Sequence, residues 1–225
     1  MPSTLAPAEG VRTELKGMRR TAARRMVQAW AAPVFHLTVE VDMTEASQVK
    51  SAVPGATVTD VIVRSVARAL VVVPAVNAYV DDEAVTLFPE AHVGIAVATD
   101  NGLTVPVVHS ADSLSLAGIA EKRRDIVGRA RDGALTRDDI TGGTFTVSNL
   151  GMLGVTRFDA ILNVPQAAIL AVGATVPRQV WAESGAQWRP IAEFTLTADH
   201  RALDGATAAA FMNALRQQLE APLEA

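Results

Sequence analysis

Cysteine is absent from this chain of 225 residues. Its absence excludes disulfides, thiol nucleophiles and cysteine-ligated metal, and is compatible with any redox compartment. Histidine is scarce: His36, His92, His109 and His200 are the whole set. None is spaced like a ligand pair, so no metal site is expected. No apolar run is long enough to span a bilayer; the best stretch, Val58 to Val76, is broken by Asp60, Arg64, Arg68 and Pro74. A basic excess is missing too. With a net charge of −4 and no basic stripe interleaved with aromatics, no nucleic-acid partner is expected. The opening Met1 to Gly10 has neither an apolar signal core nor an Arg-rich presequence. A soluble intracellular protein without membrane contact is therefore expected, cytoplasmic in preference to the mitochondrial matrix.

What is present is globular material: 49% hydrophobic and 20% charged residues, enough for one sizeable core. Residues 1–12, rich in Ala and Pro without an apolar period, read as a linker remnant, and 13–225 as one domain. A helix is expected over about Glu14 to Ala31, with Ala22, Ala23, Met26, Val27 and Trp30 inward. Lys16, Arg19, Arg20, Arg24 and Arg25 take its other positions. They form a solvated face, a phosphate site, or the source of a partner for a catalytic carboxylate. Val34 to Asp42 alternates as a half-buried strand, with Phe35, Leu37, Val39 and Val41 inward and His36 exposed on the polar side. Thr59 to Val73 is the clearest helix, its stripe of Ile62, Val66, Ala69, Leu70 and Val73 buried and Asp60, Arg64 and Arg68 opposite. Pro74 ends it.

Strands near Ala91 to Thr99 and Leu103 to Val108 flank Asn101-Gly102, a strong hairpin signal. Leu114 to Ala130 is amphipathic, with Leu116, Ile119, Ile126, Val127 and Ala130 inward. Further strands are expected near Ala167 to Gly173, Gln179 to Ala182 and Glu193 to Asp199, and a last helix over Ala206 to Leu219. The order lacks regular β-α-β alternation. It predicts an α/β (α+β layered) domain, a central mixed sheet flanked by helices.

Two stretches carry chemistry. In Gly142 to Gly151, Thr144, Thr146 and Ser148 share one strand face, and the strand leaves through Ser148-Asn149-Leu150-Gly151. That exit can present a hydroxyl at a cleft edge or be a plain turn. Its glycines lack the spacing and the Lys-Ser/Thr ending of a phosphate loop. The second stretch, Asp199-His200-Arg201-Ala202-Leu203-Asp204-Gly205, lies between a strand and a helix. Such a corner holds a side chain rigidly at a cleft. His200 is the natural general base, with an ordinary pKa near 6.5. The plain alternative makes Asp204 a helix cap and His200 a surface histidine.

Several separated motifs occur in order: Gly17-Met18-Arg19-Arg20 with Ala23-Arg24-Arg25-Met26, Glu40 to Thr44, Gly94 to Thr99 with Gly102 to Val107, Gly142 to Gly151, and Asp199-His200-Arg201 with Asp204-Gly205-Ala206. Together they resemble the catalytic domain of the dihydrolipoamide acyltransferases of 2-oxo-acid dehydrogenase complexes, which shares the chloramphenicol acetyltransferase fold. The likeness runs from about Lys16 to Pro222. It implies acyl transfer between a dihydrolipoyl thiol and coenzyme A, with coenzyme A as substrate and the lipoyl group presented by a separate domain. It implies His200 as general base, Ser148 as oxyanion donor, Asn149 beside coenzyme A, and Asp204 paired with an arginine, for which Arg25 is the candidate. It also implies a homotrimer with sites between subunits, and dehydrogenase components and a lipoyl domain as partners. The ending Leu219 to Ala225 is short and acidic, so assembly is expected to stop at the trimer.

Two departures bear on the acyl pocket: Pro33-Val34-Phe35 stands where the family often has Pro-His before Phe, and Ala160 where it often has proline. Acetyl, succinyl and branched-chain acyl groups stay open. So do two other readings of the chain, an acetyltransferase for a small hydroxylated acceptor and a catalytically idle scaffold.

Overall fold

Alternating apolar runs, broken by proline and glycine, build a mixed sheet with helices over one face. The computed structural model describes residues 10–100, 102–183 and 185–223; the expected linker, residues 1–12, lies largely outside them, as do the last two residues. In chain order the elements are α1 (Gly17–Trp30), β1 (Val34–Asp42), two short helices α2 (Thr44–Ser47) and α3 (Val49–Ala52), and α4 (Val58–Val72). Then come β2 (Ala78–Val80), β3 (Val85–Leu87), β4 (Val93–Ile95), β5 (Val97–Thr99), β6 (Gly102–Thr104), β7 (Val107–Val108) and α5 (Leu116–Arg131). The chain closes with β8 (Phe145–Asn149), β9 (Ala168–Val172), β10 (Val176–Ala182), β11 (Gly185–Asp199) and α6 (Gly205–Glu220).

The main sheet has the order β1-β11-β9-β8-β4-β7, with β10 paired to the outer half of β11. Its centre, β4-β8-β9, is parallel and its flanks are antiparallel, which is the mixed sheet expected. One face packs Phe145, Val147, Leu170, Phe194 and Leu196 against α4, α5 and α6. The other carries a row of hydroxyls, with Thr38 bonded to Thr195 and His36 Nδ1 to Thr197. His36 is exposed, as the alternation suggested, and its ring is anchored by that bond to Thr197.

Three expectations shift. The two strands over 91–99 and 103–108 each divide, because Pro106 has no N–H and Ile95 bonds to its carbonyl at 2.8 Å. Their outer parts form the β5-β6 hairpin, while β4 and β7 join the main sheet. Helix α4 is covered nearly all round: Asp60 and Arg64, expected on a polar face, are buried. Asp60 closes a capping box with Thr57 and takes two bonds from Arg123 of α5, at 2.7 and 3.0 Å. Helix α1 turns a different face inward, burying Ala29, while Val27 and Trp30 are 74% and 81% exposed. Among the described residues no helix is long and apolar enough to cross a membrane.

Candidate active site

The end of β11 is fixed from both sides. Asp199 N–H donates to Ala167 at 2.9 Å, and the next residue's N–H donates to Pro33 at 2.8 Å. The imidazole of His200 is thereby presented to solvent at the strand-to-helix corner, its ring centroid 4.8 Å from that of Phe35. Asp204 begins α6 as its N-cap and accepts from Thr207 N–H at 2.7 Å. The backbone N–H of Thr207 first, and then its side-chain hydroxyl, hold the Asp204 carboxyl below the usual range, with the nearby His200 a minor contributor.

The expected Arg25–Asp204 pair is not formed among the described residues. The α6 donors already satisfy Asp204, and Arg25 instead lines a cleft of about 480 Å³. Thr104, Gly143, Asn163 and Gln166 share that lining with Tyr79. Gln166 and Tyr79 both donate to the Gly143 carbonyl, at 2.7 and 2.8 Å, while Thr146 donates to Gln166 at 2.6 Å. Neither the cleft nor its Asn163 and Gln166 was marked by a motif. Gln166 directly precedes Ala167, the partner of Asp199, so the cleft opens at the His200 end of the sheet.

Ser148 sits elsewhere. It lies on β8, half-buried, and its hydroxyl has no hydrogen-bond partner among the described residues. Asn149 follows in the turn-forming role: its Oδ1 accepts from Gly151 N–H at 2.9 Å. Gly151 has no room for a side chain there, since a Cβ would come within 2.6 Å of the Gly173 carbonyl. The register pairs Ser148 with Ala171 and Ala171 with Thr195, five residues before His200. Two strand spacings across and five residues along leave the Cα atoms of Ser148 and His200 about 19 Å apart. Within one chain the corner therefore unites His200 with Asp204, and leaves Ser148 and Asn149 at the other end of the strands.

The profile of the 2-oxoacid dehydrogenases acyltransferase (catalytic domain) family matches residues 7–225. The chain belongs to that family. Among curated acyltransferase relatives, it is 38% identical over 97% of its length to the dihydrolipoyllysine-residue acetyltransferase component of the mitochondrial pyruvate dehydrogenase complex of Schizosaccharomyces pombe, covering 48% of that protein. It is 36% identical over 92% of its length to the corresponding component of the acetoin cleaving system of Bacillus subtilis, covering 54% of that protein. The chain thus spans about half the length of the curated relatives it matches.

Among solved structures, a probable dihydrolipoamide acetyltransferase of Listeria monocytogenes has a TM-score of 0.89 at 32% identity, with 94% of each chain covered. The dihydrolipoamide acetyltransferase of Azotobacter vinelandii has a TM-score of 0.87 at 30% identity, covering 94% of this chain and 92% of that one. In that enzyme a serine, a histidine and an asparagine have been probed for their role in catalysis. They stand at the same intervals as Ser148, His200 and Asp204 here. Chloramphenicol acetyltransferase, at 18% identity and a TM-score of 0.58, shares the fold.

Proposed function

We propose that this chain transfers an acetyl group between a dihydrolipoyl thiol and coenzyme A, with active sites completed by neighbouring copies in a trimer. The observation that carries the reading is the exposed imidazole of His200, rigidly held at the β11-α6 corner of a domain that matches the acyltransferase family over residues 7–225. The acetyl group is chosen because the relatives named above are acetyltransferases.

In the forward step, His200 removes the proton from the coenzyme A thiol as it attacks the acyl-dihydrolipoyl thioester. The oxyanion that forms accepts from the Ser148 hydroxyl, which is unpartnered among the described residues and free to donate. Collapse expels the dihydrolipoyl sulfur, which takes the proton back from His200. Asn149, whose Oδ1 is held by the turn and whose Nδ2 makes a long 3.5 Å bond to the Thr59 hydroxyl, has an amide N–H left for coenzyme A. Asp204 secures the N-terminus of α6 behind His200. The Azotobacter enzyme has an asparagine at the corresponding interval, a residue type that also suits an N-cap and carries no charge.

A base and an oxyanion donor serving one carbonyl must each lie about 3 Å from the reacting atoms. A separation of about 19 Å in one chain is incompatible with that, so Ser148 of one copy works with His200 of the next. Each chain then offers two different surfaces, a head-to-tail arrangement that closes as a ring. The exposed Val27 and Trp30 of α1 give such a ring apolar surface to bury. A lipoyl domain and the dehydrogenase components are the partners of this reading.

The test is acyl transfer from acetyl-, succinyl- and branched-chain-coenzyme A to free dihydrolipoamide. Acetyl transfer that is fastest of the three and disappears in His200→Ala is expected. No turnover with any thioester from a folded oligomer would refute the reading.

A further inference from the structure

The residues flanking His200 have no place in the chemistry above, yet they are the most tightly bound polar groups at the corner. Asp199 carries a carboxylate whose side chain is 0% exposed. All its acceptor capacity is spent on one neighbour. Oδ1 accepts from Arg201 N–H at 2.9 Å and from Arg201 Nε at 3.1 Å, and Oδ2 accepts from Arg201 Nη2 at 2.8 Å. The Asp199 carbonyl accepts from Ala202 and Leu203 N–H at 3.1 and 3.0 Å. Arg201 extends outward, and its Nη1 donates to Asp82, in the turn between β2 and β3, at 2.9 Å.

His200 is therefore the central residue of a turn whose two ends are tied by the side chain of the residue before it and the backbone of the residue after it. An Asx-turn of this kind removes backbone freedom at its middle residue. The fork of Arg201 holds the buried carboxylate in place. Asp82 fixes the outer end of the guanidinium.

We propose that Asp199 and Arg201 are positioning residues for His200: the buried, forked carboxylate sets the turn that aims the imidazole, without touching substrate. This rests on His200 being the general base. Misplacing a catalytic group by about 1 Å costs on the order of 100-fold in rate.

The experiment compares Asp199→Ala, Asp199→Asn and Arg201→Lys in the intact oligomer, by steady-state acetyl transfer and by amide hydrogen exchange over residues 200–203. Asp199→Ala is expected to lower kcat about 100-fold with KM for both substrates within twofold, and to speed exchange at 201–203. Asp199→Asn keeps an Oδ1 acceptor for the Arg201 N–H and is expected to recover kcat to within about 10-fold of wild type. Arg201→Lys keeps a cation beside the carboxylate but not the fork, so it folds even if Asp199→Ala does not. It is expected to lower kcat about 10-fold and to speed exchange.

Unchanged kcat in Arg201→Lys and Asp199→Ala, or an asparagine variant as damaged as the alanine one, would overturn the proposal. A rise in KM equal to the loss in kcat/KM would do so too. The exchange measurement separates the two levels of inference. If wild type transfers no acyl group, the functional reading fails, while faster exchange in the variants still establishes the clamp.

Discussion

Mixing two inactive chains provides the sharpest test of a shared site. His200→Ala removes the base and Ser148→Ala the oxyanion donor, so homogeneous oligomers of either are crippled. The serine variant is expected to lose roughly 100- to 1,000-fold, the histidine variant nearly everything. Suppose the sites lie between copies, as the separation of about 19 Å along β8, β9 and β11 requires. In a mixed trimer, whichever variant supplies two chains, an intact Ser148 from one variant meets an intact His200 from the other at about one junction in three. Specific activity should rise to about a third of wild type, far above either parent, with KM values unchanged, because the restored junctions carry both intact groups. The assay is acetyl transfer to dihydrolipoamide on oligomers co-expressed with two different tags and purified through both. Were each site built within one chain, every chain in the mixture would carry a lesion and activity would stay at the level of the parents. That result, from a verified mixed oligomer, would refute the geometry.

Other consequences follow from single groups. Asp204→Asn should keep the cap and melt within a few tenths of a kcal/mol of wild type, whereas Asp204→Ala should lose about 1 kcal/mol in urea unfolding. Arg123→Ala leaves the Asp60 carboxylate buried without its cation and should cost about 3–5 kcal/mol, read from the same unfolding curves. His92 is held below its ordinary pKa, first by burial and then by the neighbouring His109, with Nδ1 accepting from Ser110 N–H at 2.9 Å. The unfolded chain therefore binds the proton more readily, and stability should fall as pH drops below about 6.5. In His92→Asn, whose Oδ1 can replace Nδ1, the urea midpoint should lose that slope; an unaltered slope would assign it to another group.

What the sequence made legible was the set of elements whose surroundings are simple. The alternation over Val34–Asp42 fixed β1 to the residue, because one face meets the helices and the other a polar row. The period of 3.6 located α4, α5 and α6 within two residues at each end. It failed where tertiary context decides which face is covered. Asp60 and Arg64 read as a solvated face because nothing in their spacing reveals that α5 and α6 wrap α4 from the outside. Trp30 and Val27 read as inward because apolar residues on a helix have a partner somewhere. Among the described residues nothing covers either of them.

The site divides along the same line. His200 and Asp204 were legible together because four residues of sequence place them on one corner, and local chemistry says what such a corner can hold. The distance between Ser148 and His200 was not, because it is a property of register: Ser148 to Ala171 to Thr195 depends on which strands become neighbours and in what direction they run. A motif can name two groups that serve one reaction without saying that they belong to one copy. Only the sheet order bears on that. Under the proposed head-to-tail arrangement, the displacement of Ser148 from His200 calls for a second copy at the end of β11, and the exposed Val27 and Trp30 of α1 are apolar surface that such a copy can cover.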